Sequence, residues 1–495
     1  MNRQYLTNLA TFFFAIILLL LPPSSARGLE HQWSKRFGDV SDQTCLGMAT
    51  DHDGNVIIIG SFAGVVDFGG GLLTSAGGRD IFLAKFDGAG NHLWSRRFGD
   101  KYDQTGYGVA VDSNGQIVLT GSFSGKTDFG GGLLTSAGGQ DIFLARFSAA
   151  GSHLWSMGFG DSADQVGNSV AIDSAGNIIV IGELSGAADF GGGSISSAGG
   201  RDIFLVRFGP AGAYHWSMCF GDSADQSSRH VAIDGSNNIL ITGTFAGAVD
   251  FGGGTFFSNG DQDMFLASFS TFGIHRWSRG FGGKLDQAGQ AIAIDDAGDV
   301  VVTGSFAGKI DFGGGLLTSS GGQDIFLARF DALGNHLWSM GIGDAADQSG
   351  ASVAVNFSGN IVTTGYFEGW VDFGGGPLAS SGLRDVFLAV FEPSGAHLLS
   401  QAFGDADDQQ GTAVVTSASG DVLAAGDFAG SVNFGGGTLT SAGGSDIYLV
   451  DFGCPGDFDH DSDVDGVDLF LLIDKYYGIM TTEEFAANFG RLGCP

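Results

Sequence analysis

The chain has 495 residues, and 22 Lys and Arg side chains against 54 Asp and Glu give a formal net charge of −32. A surface this acidic repels phosphate backbones, which excludes nucleic acid as a partner and disfavours an anionic membrane surface. The 87 glycines accompany only 7 prolines, 12% aromatic and 43% hydrophobic residues, which excludes collagen and disordered glycine-rich chains. We therefore expect a folded, turn-rich, mostly β protein.

Residues 1–26 are typical of a secretion signal. Arg3 supplies a positive charge, an apolar run follows over 9–21, and Ser24 and Ala26 fit a small-residue cleavage site. A retained anchor is the weaker alternative because the run is short for a bilayer, and no second run of spanning length follows. We expect a secreted monomer, extracellular or on the cell surface, with the periplasm as the alternative, and no membrane span in the mature chain.

Seven repeats of 61 residues occupy 31–453, with no insertion or deletion at any marker. A repeat of this length indicates a solenoid, a propeller or an array. The same spacing relates the DFGGG motifs that begin at Asp67 and the DIFL-type motifs that begin at Asp80; Asn433 replaces the first Asp in the seventh DFGGG copy. The tryptophans at this spacing are Trp33, Trp94, Trp155, Trp216, Trp277 and Trp338, and Leu399 takes the seventh position.

Each repeat predicts four strands. In one copy these are 107–112, 116–123, 141–147 and 153–159, joined in pairs by short turns that contain glycine. The glycine-rich loop between the pairs could add a short edge strand. Four antiparallel strands per unit predict a propeller blade, whereas a β-solenoid, the alternative, needs only about half this length per rung.

The phase of the repeats predicts a closed ring. The array begins with a Trp strand, 31–37, that has no preceding partner, and it ends with 447–452, which has no following partner. If these two strands pair, the N-terminal strand completes the last blade and no open edge remains. The fold class is therefore all-β, a seven-bladed β-propeller of four-stranded antiparallel blades.

The repeat resembles the bacterial β-propeller repeat of secreted proteins. Three segments of the chain carry the resemblance: the Asp103-Gln104 pair, the Gly-Asn strand at 176–182 and the GGxDIFLA strand at 138–146. The resemblance covers 31–452 and implies the fold, but it implies no particular chemistry.

The C-terminal segment, 454–495, differs from the repeats and contains a candidate calcium loop. Its sequence GDFDHDSDVDGVDL places six aspartates at positions 1, 3, 5, 7, 9 and 12, the spacing that supplies six to eight oxygens to Ca²⁺. Ser462 replaces the glycine usual at position 6, which predicts a lower affinity. A short helix should follow over 467–477, and a second should begin at Thr481. The predicted Ca²⁺ ligands are Asp457, Asp459, Asp461, Asp463, Asp465 and Asp468.

This loop and the following helices resemble dockerin modules, which attach bacterial extracellular proteins to cohesin partners. The resemblance implies a small α-helical calcium-binding module and a cohesin-like partner. Dockerins carry two calcium loops, and only one is present here. Cys454 and Cys494 bracket the module, and we expect them to pair in an oxidising compartment. Cys45 and Cys219 lie at different phases of the repeat and are expected to be free and buried.

The repeated polar residues are interpreted first as structural. Six histidines share one phase, which favours packing over catalysis, and the aspartates of the DFGGG and Asp-Gln motifs are expected to cap turns. The alternative for Asp42 and its six equivalents is a cation-binding ring. Exceptions to the repeat are the candidate ligand-binding positions. They are Trp370 with Glu368, Tyr214 with His215, and Arg229 with His230.

These features predict a secreted, non-enzymatic binding or display scaffold with a calcium-binding C-terminal attachment module. No catalytic residues are assigned. The expected partner is an extracellular protein or a glycan. The alternative is an extracellular carbohydrate-active enzyme, or an accessory protein of polysaccharide degradation, because dockerin-like segments accompany such enzymes.

Overall fold

The computed structural model describes residues 29–417 and 420–453. Seven four-stranded antiparallel sheets, here blades 1 to 7, follow one another in the chain. The innermost strands of blades 1 to 7 are Gln43–Thr50, Gln104–Val111, Gln165–Ile172, Gln226–Ile233, Gln287–Ile294, Gln348–Val355 and Gln409–Thr416. The second strands are Val56–Phe62, Ile117–Phe123, Ile178–Leu184, Ile239–Phe245, Val300–Phe306, Ile361–Phe367 and Val422–Phe428.

The outer half of each blade has the same order. The third strands are Asp80–Phe86, Asp141–Phe147, Asp202–Phe208, Asp263–Phe269, Asp324–Phe330, Asp385–Phe391 and Asp446–Gly453. The outermost strands are His92–Phe98, His153–Phe159, Tyr214–Phe220, His275–Phe281, His336–Ile342, His397–Phe403 and, in blade 7, Glu30–Phe37. The prediction of seven four-stranded blades is confirmed.

The glycine-rich loop does not add an edge strand to the blade. It forms a separate two-stranded hairpin between the second and third strands. The first hairpin strands are Val65–Asp67, Lys126–Asp128, Ala187–Asp189, Ala248–Asp250, Lys309–Asp311, Trp370–Asp372 and Ser431–Asn433. The second hairpin strands are Leu72–Thr74, Leu133–Thr135, Ser194–Ser196, Thr255–Phe257, Leu316–Thr318, Pro377–Ala379 and Thr438–Thr440.

The core lies between neighbouring blades. Every residue of Val56–Phe62 and of Asp80–Phe86 is buried, because both faces of these middle strands pack against other blades. The Phe of each DFGGG motif anchors this packing. Phe68, for example, has its ring centroid 5.0 Å from that of Phe37 and 5.0 Å from that of Phe82, and such aromatic pairs add to the stabilisation from burial.

The ring closes as the phase of the repeats predicts. Glu30–Phe37 pairs antiparallel with Asp446–Gly453 and completes blade 7. Met48 of blade 1 shares a hydrophobic cluster with Ala413 and Leu423 of blade 7. The first and last blades are therefore packed together in the same way as the others.

Ring closure also explains why Leu399 replaces tryptophan. In the other six interfaces the Trp indole N–H donates to a backbone carbonyl in the outer turn of the next blade, as Trp277 does to Ala332 at 3.1 Å. A glycine of the same turn faces the indole ring; a Cβ on Gly334 would lie 2.7 Å from Trp277. In blade 7 the third and outermost strands come from opposite ends of the chain. There Leu29 and Leu399 are buried in one hydrophobic cluster instead.

The structure describes two of the four cysteines, Cys45 and Cys219. Cys45 and Cys219 are both free thiols, but only Cys45 is fully buried; Cys219 is half-buried because it lies on an outermost strand.

The signal segment, the Cys454–Cys494 pair and the predicted calcium ligands lie outside the described residues. Residues 29–417 and 420–453 contain no helix, and accordingly none that could span a membrane.

Candidate ligand-binding site in the central channel

The innermost strands surround a central channel, and each has a β-bulge at the same position. In blade 1, Cys45 pairs with Gly60 and Gly47 pairs with Ile59, so Leu46 is left without a partner in the ladder. A bulge redirects the side chain of its extra residue, and here that residue lines the channel. The bulge residues of blades 1 to 7 are Leu46, Tyr107, Asn168, Arg229, Gln290, Ala351 and Thr412.

These seven bulge residues, the channel ring, are all different, although the same strands begin with glutamine in every blade. The glutamines are structural: the Gln165 side-chain oxygen accepts from the Asp161 N–H at 3.1 Å, and its amide donates to the Asp161 carboxylate at 2.7 Å. The channel ring bounds a cavity of about 420 Å³, which is within the size range of small-molecule sites. The repeat is therefore least uniform where its innermost strands meet a cavity.

Blade 4 supplies the charged residue of this cavity. Arg229 is exposed to the channel, and no ion pair or hydrogen bond engages its guanidinium among the described residues. The neighbouring His230 accepts a hydrogen bond at Nδ1 from the Ile292 N–H of blade 5 at 3.4 Å. Burial lowers the pKa of His230 to about 4, so the imidazole is neutral at physiological pH.

His230 therefore has a structural role that serines fill in other blades. The Ser169 hydroxyl accepts from the Val231 N–H at 3.3 Å, and the Ser352 hydroxyl accepts from the Val414 N–H at 3.1 Å. Both bonds join one innermost strand to the next, as the His230 bond does. Of the predicted pair, Arg229 is the residue left available for a ligand.

Asn168 connects the channel to a buried polar network. Its side-chain amide donates to the Ser228 carbonyl at 2.8 Å and to the Glu183 carboxylate at 3.1 Å. Glu183 also accepts from the Ser227 hydroxyl and, at 3.3 Å, from the Arg201 guanidinium. Glu183 is thus neutralised and hydrogen-bonded by its own neighbours, as a buried carboxylate requires.

The repeated aspartates cap backbone groups, as expected. Asp67 accepts from the N–H groups of Gly69 and Gly71 at 2.7 and 3.0 Å, and Asn433 makes the equivalent bonds in blade 7. The aspartates of the Asp-Gln motif cap a more distant group than expected. Asp103 of blade 2 accepts from the Arg79 N–H of blade 1 at 2.9 Å, so this carboxylate joins neighbouring blades instead of capping its own turn.

The six repeated histidines also pack as expected. The Nε2 atom of His92 lies 3.1 Å from the Ser95 hydroxyl, and its ring lies against Gly70, where a Cβ would approach the imidazole to 2.2 Å. Tyr214 takes the histidine position in blade 3, with its hydroxyl 3.3 Å from that of Ser217. The adjacent His215 accepts from the Arg207 guanidinium at 3.2 Å. Tyr214 and His215 are therefore both engaged in contacts within blade 3.

The remaining predicted exception lies on the surface. The Trp370 side chain is 57% exposed, and Glu368 lies 3.5 Å from the Arg384 guanidinium. Arg384 also stacks 4.4 Å from the ring centroid of Tyr366, an exception that the sequence analysis missed. These residues form a polar and aromatic patch on the surface, and none of them lines the cavity of the channel ring.

The sequence analysis also missed buried ion pairs near the turns that join the first and second strands of the blades. Arg146 and Asp112 form an ion pair with both side chains almost fully buried; Arg146 also donates to Gln116 at 3.1 Å and to the Pro210 carbonyl at 2.7 Å. The sequence carried a signal for this pair, because both of its positions are changed in blade 6, which has Asn356 and Val390 there. A surface cavity of about 650 Å³ lies beside this pair, whose charges already satisfy each other.

Most of the channel ring was also missed, because pairing register decides which residue bulges and register is not visible in a single repeat. The signal was available across repeats: one position of the innermost strand has a different residue in all seven copies, whereas the first position is glutamine in every copy. Among the described residues, no group of three or more His, Cys, Asp or Glu side chains is placed to hold a metal ion. The predicted calcium site lies outside them.

The strand order defines a seven-bladed β-propeller, and comparisons with known proteins do not narrow this class further. No family model matches the chain. The uncharacterised WD repeat-containing protein L264 of Acanthamoeba polyphaga mimivirus is 24% identical over 432 residues, covering 68% of this chain and 31% of that protein. The regulatory protein FlaEY of Caulobacter vibrioides is 26% identical over 172 residues, covering 33% of this chain and 18% of that protein.

The chain therefore spans less than a third of the length of these curated relatives. Among solved structures, the WD40 domain of Neurospora crassa Pan2 is similar with a TM-score of 0.43 and 10% identity, covering 86% of this chain and 97% of that chain. Similarity at this level does not assign a function.

Proposed function

We propose that this protein is a non-enzymatic binding propeller that holds a ligand in its central channel. The channel ring carries the proposal: seven different side chains at one position of strands that all begin with glutamine, around a cavity of about 420 Å³. The glutamine that begins each innermost strand bonds to its own loop and is repeated in every blade, whereas recognition of an asymmetric ligand needs different groups around the axis. Function resides in such a site and does not follow from the fold.

Four blade carboxylates that are engaged in structural contacts support binding over acid–base catalysis. Asp67 and Asp103 each accept backbone N–H groups, and Asp112 and Glu183 each pair with an arginine. These groups are occupied in holding the structure. The channel ring itself has no carboxylate, so it offers hydrogen-bond donors and apolar contacts but no general acid of that kind.

Export and attachment are the second part of this proposal. The segment 1–26 supports secretion, and the spacing of Asp457 to Asp468 supports a calcium-dependent module at 454–495. In this proposal the module attaches the protein to an extracellular protein or glycan, with a cohesin-like protein as one candidate partner. The propeller then acts as a monomer on the cell surface, in the medium or in the periplasm.

The test is ligand binding by a protein whose channel has been filled. The full mature chain and an Ala351→Trp variant are screened by calorimetry and on arrays against glycans and small organic acids. Ala150→Trp is the matched control, because Ala150 is exposed in an outer turn. We expect a ligand that the native chain and the control bind equally and that the Ala351→Trp variant binds at least tenfold more weakly.

Two outcomes contradict the proposal. Binding that Ala351→Trp leaves unchanged, in a variant that melts like the native chain, would place the ligand elsewhere. Hydrolysis of a polysaccharide in the same panel would instead support the carbohydrate-active enzyme.

A further inference from the structure

The cavity in the central channel is positively charged inside a strongly acidic protein. The chain carries a formal charge of −32, yet no Asp or Glu is among the residues that line this cavity. Arg229 is the lining residue that is charged at neutral pH, because His230 is held in its neutral form. A single guanidinium in a site without carboxylates favours an anionic ligand group.

Arg229 also differs from other arginines of the blades in having no internal partner. Arg146 and Arg329 are bonded to aspartates and to backbone carbonyls. Glu183, the carboxylate bonded to the channel residue Asn168, is already engaged by Arg201. Within the part of the chain that the structure describes, the Arg229 guanidinium has no such bond, so all its donors remain for a ligand.

Neutral polar groups of the channel ring accompany this cation. The Tyr107 hydroxyl and the Gln290 amide make no side-chain hydrogen bond among the described residues, and both line the cavity. Such groups bind hydroxyls, and the tyrosine ring also offers an apolar face. Leu46 and Ala351 add apolar surface, and the hydroxyl of Thr412, the remaining member of the ring, donates to the Cys45 carbonyl at 2.8 Å.

We propose that the channel binds a compact hydroxylated carboxylate, the chemistry of a hexuronate or another sugar acid. Arg229 receives the carboxylate in a two-point hydrogen-bonded pair, which the planar guanidinium favours, and Tyr107 and Gln290 receive hydroxyl groups. A monoanion matches one guanidinium, whereas a phosphate dianion would need further positive charge within this acidic protein. This inference rests on the proposed function and names its ligand class.

The test is calorimetry on the full mature chain with glucuronate, galacturonate and glucose. We expect at least one uronate to bind at least tenfold more tightly than glucose, since glucose lacks the carboxylate. Arg229→Gln should weaken uronate binding at least tenfold, and Arg229→Lys should weaken it less. Arg96→Gln is the matched control, because Arg96 is an exposed arginine beside Trp94 and outside the channel; it should bind like the native chain. A uronate oligosaccharide tests whether the ligand is a free sugar acid or a chain end.

Three results would overturn the inference: no binding of either uronate, equal binding of uronates and glucose, or full binding by an Arg229→Gln variant that melts normally. The Ala351→Trp variant separates this failure from that of the proposed function. If it loses binding of some neutral ligand while the uronates do not bind, the channel is still the site and only the ligand class is wrong.

Discussion

The interfaces between blades and the wall of the central channel are built from the same repeat. The interfaces have the same residues in almost every blade, whereas the channel wall has a different residue in each. At the interfaces, six tryptophans donate to the next blade, and the seventh position changes only where the chain ends meet. In the channel, one position has seven different residues. These repeated tryptophans bond to a backbone carbonyl of the next blade, so replacing one would cost stability. A bulge residue has no ladder partner, so its type can differ between blades, as recognition of a ligand requires, without loss of the ladder.

The comparison predicts a large effect for single changes at the buried ion pairs. Arg146→Val leaves Asp112 buried without its cation, and we expect the free energy of unfolding to fall by about 3–5 kcal/mol. The double variant Asp112→Asn with Arg146→Val copies Asn356 and Val390 of blade 6 and should recover most of the loss. Urea denaturation of both variants measures the difference. Equal losses in the single and the double variant would contradict the assignment of the loss to an unpaired Asp112.

Two glutamines of one strand give a closer comparison. Gln287 is fully buried; its side-chain oxygen accepts from the Gly283 N–H at 2.8 Å, and its amide donates to the Leu285 and Ala307 carbonyls at 2.6 and 3.1 Å. Gln287→Ala should cost about 2–4 kcal/mol, because buried polar groups lose their partners.

Gln290 belongs to the channel ring three residues later. Gln290→Ala should change the free energy of unfolding by less than about 0.5 kcal/mol. The same urea experiment compares the two variants. A large loss at Gln290 would make the channel ring structural and contradict the distinction between the two regions.

A smaller effect is expected from the buried aspartates that begin the third strands. Burial raises the pKa of Asp141 and of Asp324 to about 6, above the usual value near 4. The folded protein therefore gains stability from protonating these groups as the pH falls from 7 towards 4, and loses it as the pH rises through 6. We expect about 2 kcal/mol per group, measured as melting temperature against pH.

Other carboxylates act in the opposite sense at lower pH. The backbone N–H of Ala163 lowers the pKa of Asp161, so its contribution disappears only below about pH 4. Asp141→Asn should stabilise the protein at pH 7.5 and flatten the dependence above pH 5. Asp80 is the control, because the Arg97 guanidinium pairs with it and Asp80→Asn breaks that ion pair. A gain from both variants would contradict the role given to Arg97.

The sequence predicted the blades well, because period and strand patterns are properties of a single repeat. It also predicted ring closure, since the unpaired strands at 31–37 and 447–452 needed each other. It misjudged the partner of Asp103, which lies 24 residues earlier on the preceding blade, because contacts between blades depend on how the blades pack. It missed the channel ring apart from Arg229 for a related reason: the bulge at Leu46 is set by pairing register, and no residue type in the repeat marks it.

A calcium titration of the chelated full chain tests most directly the central claim that repeated residues hold the backbone and exceptional segments bind ligands. The account predicts about one calcium ion per chain, abolished by Asp457→Asn with Asp459→Asn and unchanged by Asp103→Asn. Binding of one further ion per blade, or binding that survives the change at Asp457 and Asp459 but falls with Asp103→Asn, would show that the repeated aspartates form a cation site and would contradict the account.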